Sequence, residues 1–244
     1  MYKNRRIGIV IPCYNEERFI RGVIEEMPSF ADRIYTIDDG SRDNTADVVK
    51  SLSDPRVTLI RHGANKGLGA AITTGYKAAL KDGVDIIVKL DGDGQMPADY
   101  IESLLIPLVE GKADYTKGDR LSNLSDRKGM PRMRLFGNLL LTWLSRIATG
   151  YWHLSDPQNG FTAISKKALE DIKPDTLYSF YGNANDVLVR LNINNFKIQD
   201  VPMPSRYGEE KSSIKYRTYI PKVSLLLLRR FVWRLWKKYI KRGL

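Results

Sequence analysis

A chain of 244 residues, 43% of them hydrophobic, can bury the core of one large domain, and its single cysteine, Cys13, excludes an intrachain disulfide and suits a cytosolic setting. Lys3, Arg5 and Arg6 precede only the short apolar run Ile7 to Ile11, interrupted at Gly8, which is too little for a secretion signal. The formal charge of +11 sits in the tail, where residues 211–244 hold 11 of the 39 Lys and Arg and none of the 28 Asp and Glu; the neutral body argues against a nucleic-acid groove, and the basic tail for a local device that meets an anionic surface.

Strand-like runs at Ile7 to Ile11, Arg33 to Ile37, Val57 to Ile60 and Ile86 to Leu90 alternate with helical segments, the pattern of an α/β fold with a parallel sheet covered by helices. Asn15 is placed to cap a helix from Glu16 through Met27, Asn44 one through Leu52, and Pro97 to open one through Glu110. The small, Ala-rich stretch Gly67 to Leu80 suits a helix lying close to the sheet, and Cys13 reads as a small buried hydrophobe. Ligands in such sheets gather beyond the carboxyl ends of the strands. Four polar loops fall there: Pro12-Cys13-Tyr14-Asn15-Glu16, Asp38-Asp39-Gly40-Ser41, Asn65-Lys66-Gly67 and Asp91-Gly92-Asp93-Gly94-Gln95.

In the last loop, two carboxylates two residues apart, with glycines between and after them, let oxygen ligands from one turn converge on a hard cation such as Mg²⁺ or Mn²⁺. Positions left open suit water and a diphosphate. A plain polar turn is the alternative for any one loop. Four in register favour a site in which Tyr14 and Asp39 hold a base and ribose while a metal at Asp93 holds phosphates. His62 and His153 lack partners spaced for zinc, and no Ser/His/Asp order is convincing.

These loops, taken in order with Ile11-Pro12, Ile37, Leu90, Gly118-Asp119-Arg120 and Asp156-Pro157-Gln158-Asn159-Gly160-Phe161, resemble glycosyltransferase family 2, and more closely its dolichol-phosphate mannose synthase branch, over roughly residues 6 to 211. The resemblance implies a GT-A fold, Rossmann-like and mostly parallel. It implies that Pro12, Tyr14, Glu16, Ile37 and Asp39 line the nucleoside pocket, and that Asp91, Asp93 and Gln95 hold the metal-diphosphate with Gly92 beside it. Arg120, Arg206 and Lys211 match arginines and a lysine that reach the phosphates. The branch spaces its late arginine and lysine with an extra residue in a Gly-Glu-Ser-Lys-like turn, whereas this chain reads Arg206-Tyr207-Gly208-Glu209-Glu210-Lys211, which bears on the Lys211 match. Asp156 stands where hydroxyl-directed relatives place a base. A phosphate acceptor is already anionic and needs none, which leaves Asp156 to position groups.

Ser122 to Gly129 is polar, and Met130 to Tyr151 mixes Leu135, Phe136, Leu139, Leu140, Trp143, Leu144 and Ile147 with arginines at helical spacing. Residues 122–152 are therefore expected to form an acceptor-side loop and amphipathic segment, where Arg127, Lys128, Arg132 or Arg134 meets a lipid phosphate. In the tail, Leu228, Val232, Leu235, Trp236, Tyr239 and Ile240 share one helical face, and Arg230, Arg234, Lys237, Lys238 and Lys241 the other. Its apolar runs are too short to span a bilayer, so an interfacial helix is expected, with aromatics at headgroup depth and the basic residues from Arg229 to Arg242 held near an anionic leaflet. A helix packed on the body or on a partner subunit is the alternative.

The expectation is thus a catalytic domain over 1–210 and a basic amphipathic membrane-associating tail over 211–244. The implied activity is a metal-dependent, inverting transfer of a hexose, from a GDP-mannose or UDP-glucose type donor to a polyprenyl or dolichyl phosphate. Asp93, Arg120 and Asp156 would act in catalysis at the cytoplasmic membrane face, for glycan or glycoprotein assembly. Transfer to a sugar hydroxyl of a lipid-linked or surface glycan, and a non-catalytic membrane scaffold, remain alternatives; homo-oligomerisation or a membrane partner is compatible with either.

Overall fold

The computed structural model describes residues 1–120, 132–204 and 216–240, with backbone alone for 132–139 and 216–221. The apolar runs become strands, β1 (Ile7–Cys13), β2 (Arg33–Asp38) and β4 (Ile86–Lys89) buried on both faces and β3 (Val57–Arg61) partly exposed at the sheet's edge, followed by β5 (Tyr115–Asp119), β6 (Thr162–Ser165) and β7 (Ile198–Pro202). They form one sheet in the order β3-β2-β1-β4-β6-β5-β7. Pairing is parallel through the first four strands; β6 runs antiparallel to both β4 and β5, and β7 parallel to β5. The carboxyl ends of every strand but β6, and the chain entering β6, therefore share one edge. Alternation splits β1 between two cores: Ile7, Ile9 and Ile11 pack with Ile101, Leu104 and Phe161 on one face, and Val10 with Ile72, Tyr76 and Leu188 on the other.

The covering helices are α1 (Ile20–Glu25), α2 (Thr45–Lys50), α3 (Leu68–Lys81), α4 (Ile101–Val109), α5 (Arg132–Thr149), α6 (Lys166–Asp171), α7 (Asn183–Ile193) and α8 (Tyr216–Leu235), the last passing into a π-helical turn, Trp236–Ile240. The first helix begins later than its sequence implies. Asn15 does not cap it: Asn15 is left-handed (φ 59) and its side chain accepts from the Arg42 amide at 2.9 Å, tying the first loop to the second. Nor does the Asn44 side chain cap α2; Asp43 accepts from the Thr45 amide at 3.1 Å and from its hydroxyl at 2.6 Å.

Cys13 is buried, and burial raises its thiol well above the ordinary range, with neighbouring carboxylates adding to the effect. A neutral, enclosed thiol is a poor nucleophile. The native protein is expected to react with no Ellman's reagent at pH 8, and to show one thiol after denaturation; a rapid native reaction would contradict this packing.

The tail helix α8 lies against the body with an unexpected face. Val223 and Leu227 pack with Ala148 of α5, beside Leu141, Leu144 and Phe231. Arg230 pairs with the fully buried Asp186 at 2.8 Å, and Arg234 donates to the Ala148 and Ile147 carbonyls at 3.0 Å each. Lys238 reaches the Asn192 carbonyl at 3.1 Å, and the guanidiniums of Arg190 and Arg230 lie 5.3 and 5.2 Å from the centre of the Trp233 ring. Arg234 and Lys238 thereby complete the carboxyl ends of α5 and α7, where helices present unpaired carbonyls and partial negative charge. The expectation that Arg230, Arg234 and Lys238 face an anionic leaflet is thereby corrected. The apolar face points outward, as an interfacial helix requires, with Leu228 60%, Val232 57%, Tyr239 65% and Ile240 57% exposed. Trp143 of α5 and Trp152 are exposed as well. Among the described residues no helix is long and apolar enough to cross a membrane.

Candidate active site

Four loops and two later segments meet at the shared sheet edge. After β1, Tyr14 is 39% exposed, while the Asn15 and Glu16 amides donate to Ser41 Oγ at 2.9 Å and Thr45 Oγ1 at 2.8 Å. The first two loops thus form one unit. Pro12 and Ile37 lie beneath it as paired, buried strand residues. Asp38 is enclosed, accepts from the Ser41 amide at 2.8 Å and pairs with Arg61 at 3.0 Å.

Asp39 is 3% exposed and organises the third loop. Its Oδ1 faces His62 Nδ1 at 2.6 Å and accepts from the Lys66 amide at 3.0 Å, and its Oδ2 accepts from the Gly67 amide at 2.8 Å. His62 Nε2 in turn lies 3.0 Å from Thr74 Oγ1, whose hydroxyl also reaches the Ala70 carbonyl at 3.0 Å. A carboxylate accepts about four hydrogen bonds, which leaves an acceptor position on Oδ2 for a ligand N–H or hydroxyl. His62 was not legible as a site residue from its sequence surroundings; the clue was only that it follows a strand adjacent to the Asp39 loop.

The fourth loop follows β4. Asp91 and Asp93 are both partly exposed, Gly94 turns the chain at φ 74, and Gln95 donates its amide to Asp93 Oδ1 at 3.0 Å. Asp91 Oδ1 lies 2.5 Å from the ammonium of Lys89, the last residue of β4 and itself only 4% exposed. Among the described residues no group of three His, Cys, Asp or Glu gathers as a self-sufficient metal cage. Two accessible carboxylates and a neighbouring amide side chain are an incomplete oxygen set, which fits Mg²⁺ or Mn²⁺ sharing its coordination with a diphosphate.

Arg120, directly after β5, grips Asp156 in a two-point pair, Nε to Oδ2 at 2.8 Å and Nη2 to Oδ1 at 3.4 Å. Asp156 is enclosed, while Arg120 remains 41% exposed. The segment from Asp156 into β6 also carries Asn159, whose Oδ1 accepts from the Phe161 amide at 2.9 Å, and Gly160, which lies against the Lys89–Asp91 pair. A second buried lysine, Lys117, reaches Asp200 at 3.2 Å and ties β5 to β7. Arg132 and Arg134 open α5; Arg127, Lys128, Arg206 and Lys211 lie outside the described residues.

Asp38, Asp39, Asp91 and Asp156 are thus each engaged by a cationic or imidazole side chain at the edge where the loops converge. Such a site can bind a nucleoside on the first three loops and an anionic group between the acidic turn and Arg120.

Comparison with known proteins establishes the fold and the family. A relative from Methanococcus voltae, UDP-N-acetylglucosamine–dolichyl-phosphate N-acetylglucosaminyltransferase, is 33% identical over 84% of this chain and 88% of its own length. Polyprenol monophosphomannose synthase of Mycolicibacterium smegmatis is 27% identical over 82% of this chain and 77% of its own. Glucosyl-3-phosphoglycerate synthase from Mycobacterium tuberculosis, crystallised with Mn²⁺, UDP and glucosyl-3-phosphoglycerate, shares the fold at TM-score 0.68 and 19% identity, over 95% of this chain and 80% of that one. The sheet is therefore a GT-A sheet, and with the description "Glycosyl transferase family 2" matched over residues 8–173, the chain belongs to that family of glycosyltransferases.

Proposed function

We propose that the chain transfers a sugar from a nucleotide-sugar donor to a polyprenyl phosphate at the cytoplasmic membrane face, with inversion at the anomeric carbon. The carrying observation is the Arg120–Asp156 pair: the carboxylate placed where a base would stand already holds an arginine. A sugar hydroxyl needs a base to become a nucleophile near neutral pH. A phosphate monoester, with a second ionisation near about pH 6, is anionic without one.

In this reading Pro12, Tyr14, Glu16, Ile37 and Asp39 receive the nucleoside, and Arg120 with Arg206 and Lys211 receives the phosphates. Asp91, Asp93 and Gln95 would hold Mg²⁺ or Mn²⁺, which supplies charge neutralisation for the departing diphosphate. An oxygen of the lipid phosphate forms the new bond to the anomeric carbon as the bond from that carbon to the diphosphate breaks. The electron pair leaves with the nucleoside diphosphate, and no proton need move. Arg127, Lys128, Arg132 and Arg134 are proposed to hold the acceptor phosphate, whose charge would otherwise repel the donor. Dolichyl- and polyprenol-directed names among the relatives support this acceptor class. The test is a panel of UDP-N-acetylglucosamine, UDP-glucose and GDP-mannose with a short polyprenyl phosphate and Mn²⁺ or Mg²⁺, read by product mass. A glycosyl polyprenyl phosphate supports the proposal; transfer to sugar hydroxyls alone would replace it with the hydroxyl reading.

The outward face of α8 supplies the membrane contact in this proposal, with residues 211–244 as an associating tail on a catalytic body of residues 1–210. Each large apolar side chain that enters the interface contributes roughly 1.5–3 kcal/mol. Because Arg230, Arg234 and Lys238 are turned inward, insertion rather than charge should dominate. Replacing Leu228, Val232 and Tyr239 together by Ser is expected to lower liposome flotation by about 100-fold or more, with melting temperature unchanged. Undiminished flotation would remove the tail as the anchor.

A further inference from the structure

Lys89 is a charge placed where a strand needs none. Its stem sits in β4 between Val10 of β1 and Thr162 of β6, in a row whose neighbours Val88 and Leu90 are apolar. Burying an ammonium this deeply is unfavourable unless it is paired, and among the described residues its partner is Asp91, at 2.5 Å. The surroundings are shaped for that pair. A Cβ on Gly160 would stand 2.6 Å from Lys89 Nζ and 3.2 Å from Asp91 Oδ2, so the absence of a side chain there makes room for both groups.

We infer that Lys89 is a built-in counter-cation that keeps the acidic turn from binding a free divalent ion, so that metal is captured only together with the anionic diphosphate. This positioning role rests on the metal-diphosphate reading of Asp91 and Asp93. With Lys89 beside them, the two carboxylates offer a divalent cation a single net negative charge, and Asp91 Oδ1 is already occupied. A nucleoside diphosphate adds two or three negative charges and its own oxygens, enough to outweigh the ammonium's repulsion. Lys89 then retains a donor-rich ammonium at the rim of the diphosphate position, where it need not leave Asp91 entirely to share it. Two consequences distinguish this from simple filling of the strand. Removing the charge should strengthen binding of the metal alone, and displacing the ammonium without removing it should do so in part.

The experiment titrates Mn²⁺, read by electron paramagnetic resonance, into the wild-type protein, Lys89→Met and Gly160→Ala, each with and without UDP or GDP. Wild type is expected to bind Mn²⁺ weakly alone and far more tightly with a diphosphate. Lys89→Met, which keeps the volume of the stem, is expected to bind Mn²⁺ alone about tenfold or more tightly than wild type, and so to lose most of the dependence on nucleotide. Gly160→Ala should fall between them, and it leaves the strand's own side chains intact should Lys89→Met fold poorly by circular dichroism. If both variants bind Mn²⁺ alone as weakly as wild type, while the nucleotide still promotes binding, the role of Lys89 is overturned and the metal site stands. If no form binds Mn²⁺ even with UDP or GDP, the metal-diphosphate reading itself fails.

Discussion

Asp93→Ala is expected to reduce kcat by about 10³-fold, a loss of about 4 kcal/mol in transition-state stabilisation, with folding unaffected. Asp93 sits in a partly exposed turn whose backbone is set by Gly94 at φ 74, so its removal leaves the core untouched. The chemistry asked of it is specific. As the anomeric bond breaks, charge builds on the diphosphate, and a ligand that holds a divalent cation there acts more strongly in the transition state than in the ground state. The effect should therefore appear in kcat, with a smaller rise in donor KM, and should come with lost Mn²⁺ binding in the presence of nucleotide. Measured rates of Asp93→Ala within tenfold of wild type under saturating donor and metal would show that the turn is not the diphosphate site.

Arg120→Ala is expected to cost about 10² to 10³ in kcat/KM, the range typical of removing one donor to a developing anion. Asp156→Asn keeps an acceptor for the Arg120 Nε at the same place and should retain activity within about tenfold, whereas Asp156→Ala releases the guanidinium and should approach the Arg120→Ala value. If Asp156 acts through Arg120, the double variant Arg120→Ala/Asp156→Ala is no worse than Arg120→Ala alone, because both substitutions remove the same contact. The rate with a polyprenyl phosphate should also show no acidic limb assignable to an enzyme carboxylate acting as base near neutral pH. Complete loss in Asp156→Asn, together with substantial activity in Arg120→Lys, would instead make Asp156 the base and return the hydroxyl-acceptor reading.

The proposed site is most legible in the sequence where one loop contains its own chemistry. Asp91, Asp93 and Gln95 share a turn five residues long, so spacing and glycines alone suggest a metal-diphosphate turn there. The apolar runs of β1 to β4 are equally local, and their parallel order predicts that the loops after them converge. What was not legible is what each carboxylate touches. Arg120 and Asp156 are 36 residues apart and meet because β6 turns antiparallel beside β5, a reversal that no local pattern announces. His62 faces Asp39 because β2 and β3 pair in register, with Asp38 opposite Arg61. Lys89 was visible as the lone charge in an apolar run, yet its meaning depends on the opening that Gly160 leaves.

The tail shows the same division. Sequence periodicity by itself determined that residues 228–240 carry an apolar face and a cationic face, since side-chain direction on a helix follows from 100° per residue alone. Which face turns inward was decided only by tertiary structure. The carboxyl ends of α5 and α7 offer unpaired carbonyls that Arg234 and Lys238 satisfy, and the enclosed carboxylate of Asp186, already held by Arg190, takes Arg230 as a second cation, while Val223 and Leu227 supply an apolar contact. Those acceptors come from segments roughly 45 to 90 residues upstream, so the cations found partners inside the protein, and the apolar stripe from Leu228 to Ile240 was left facing out.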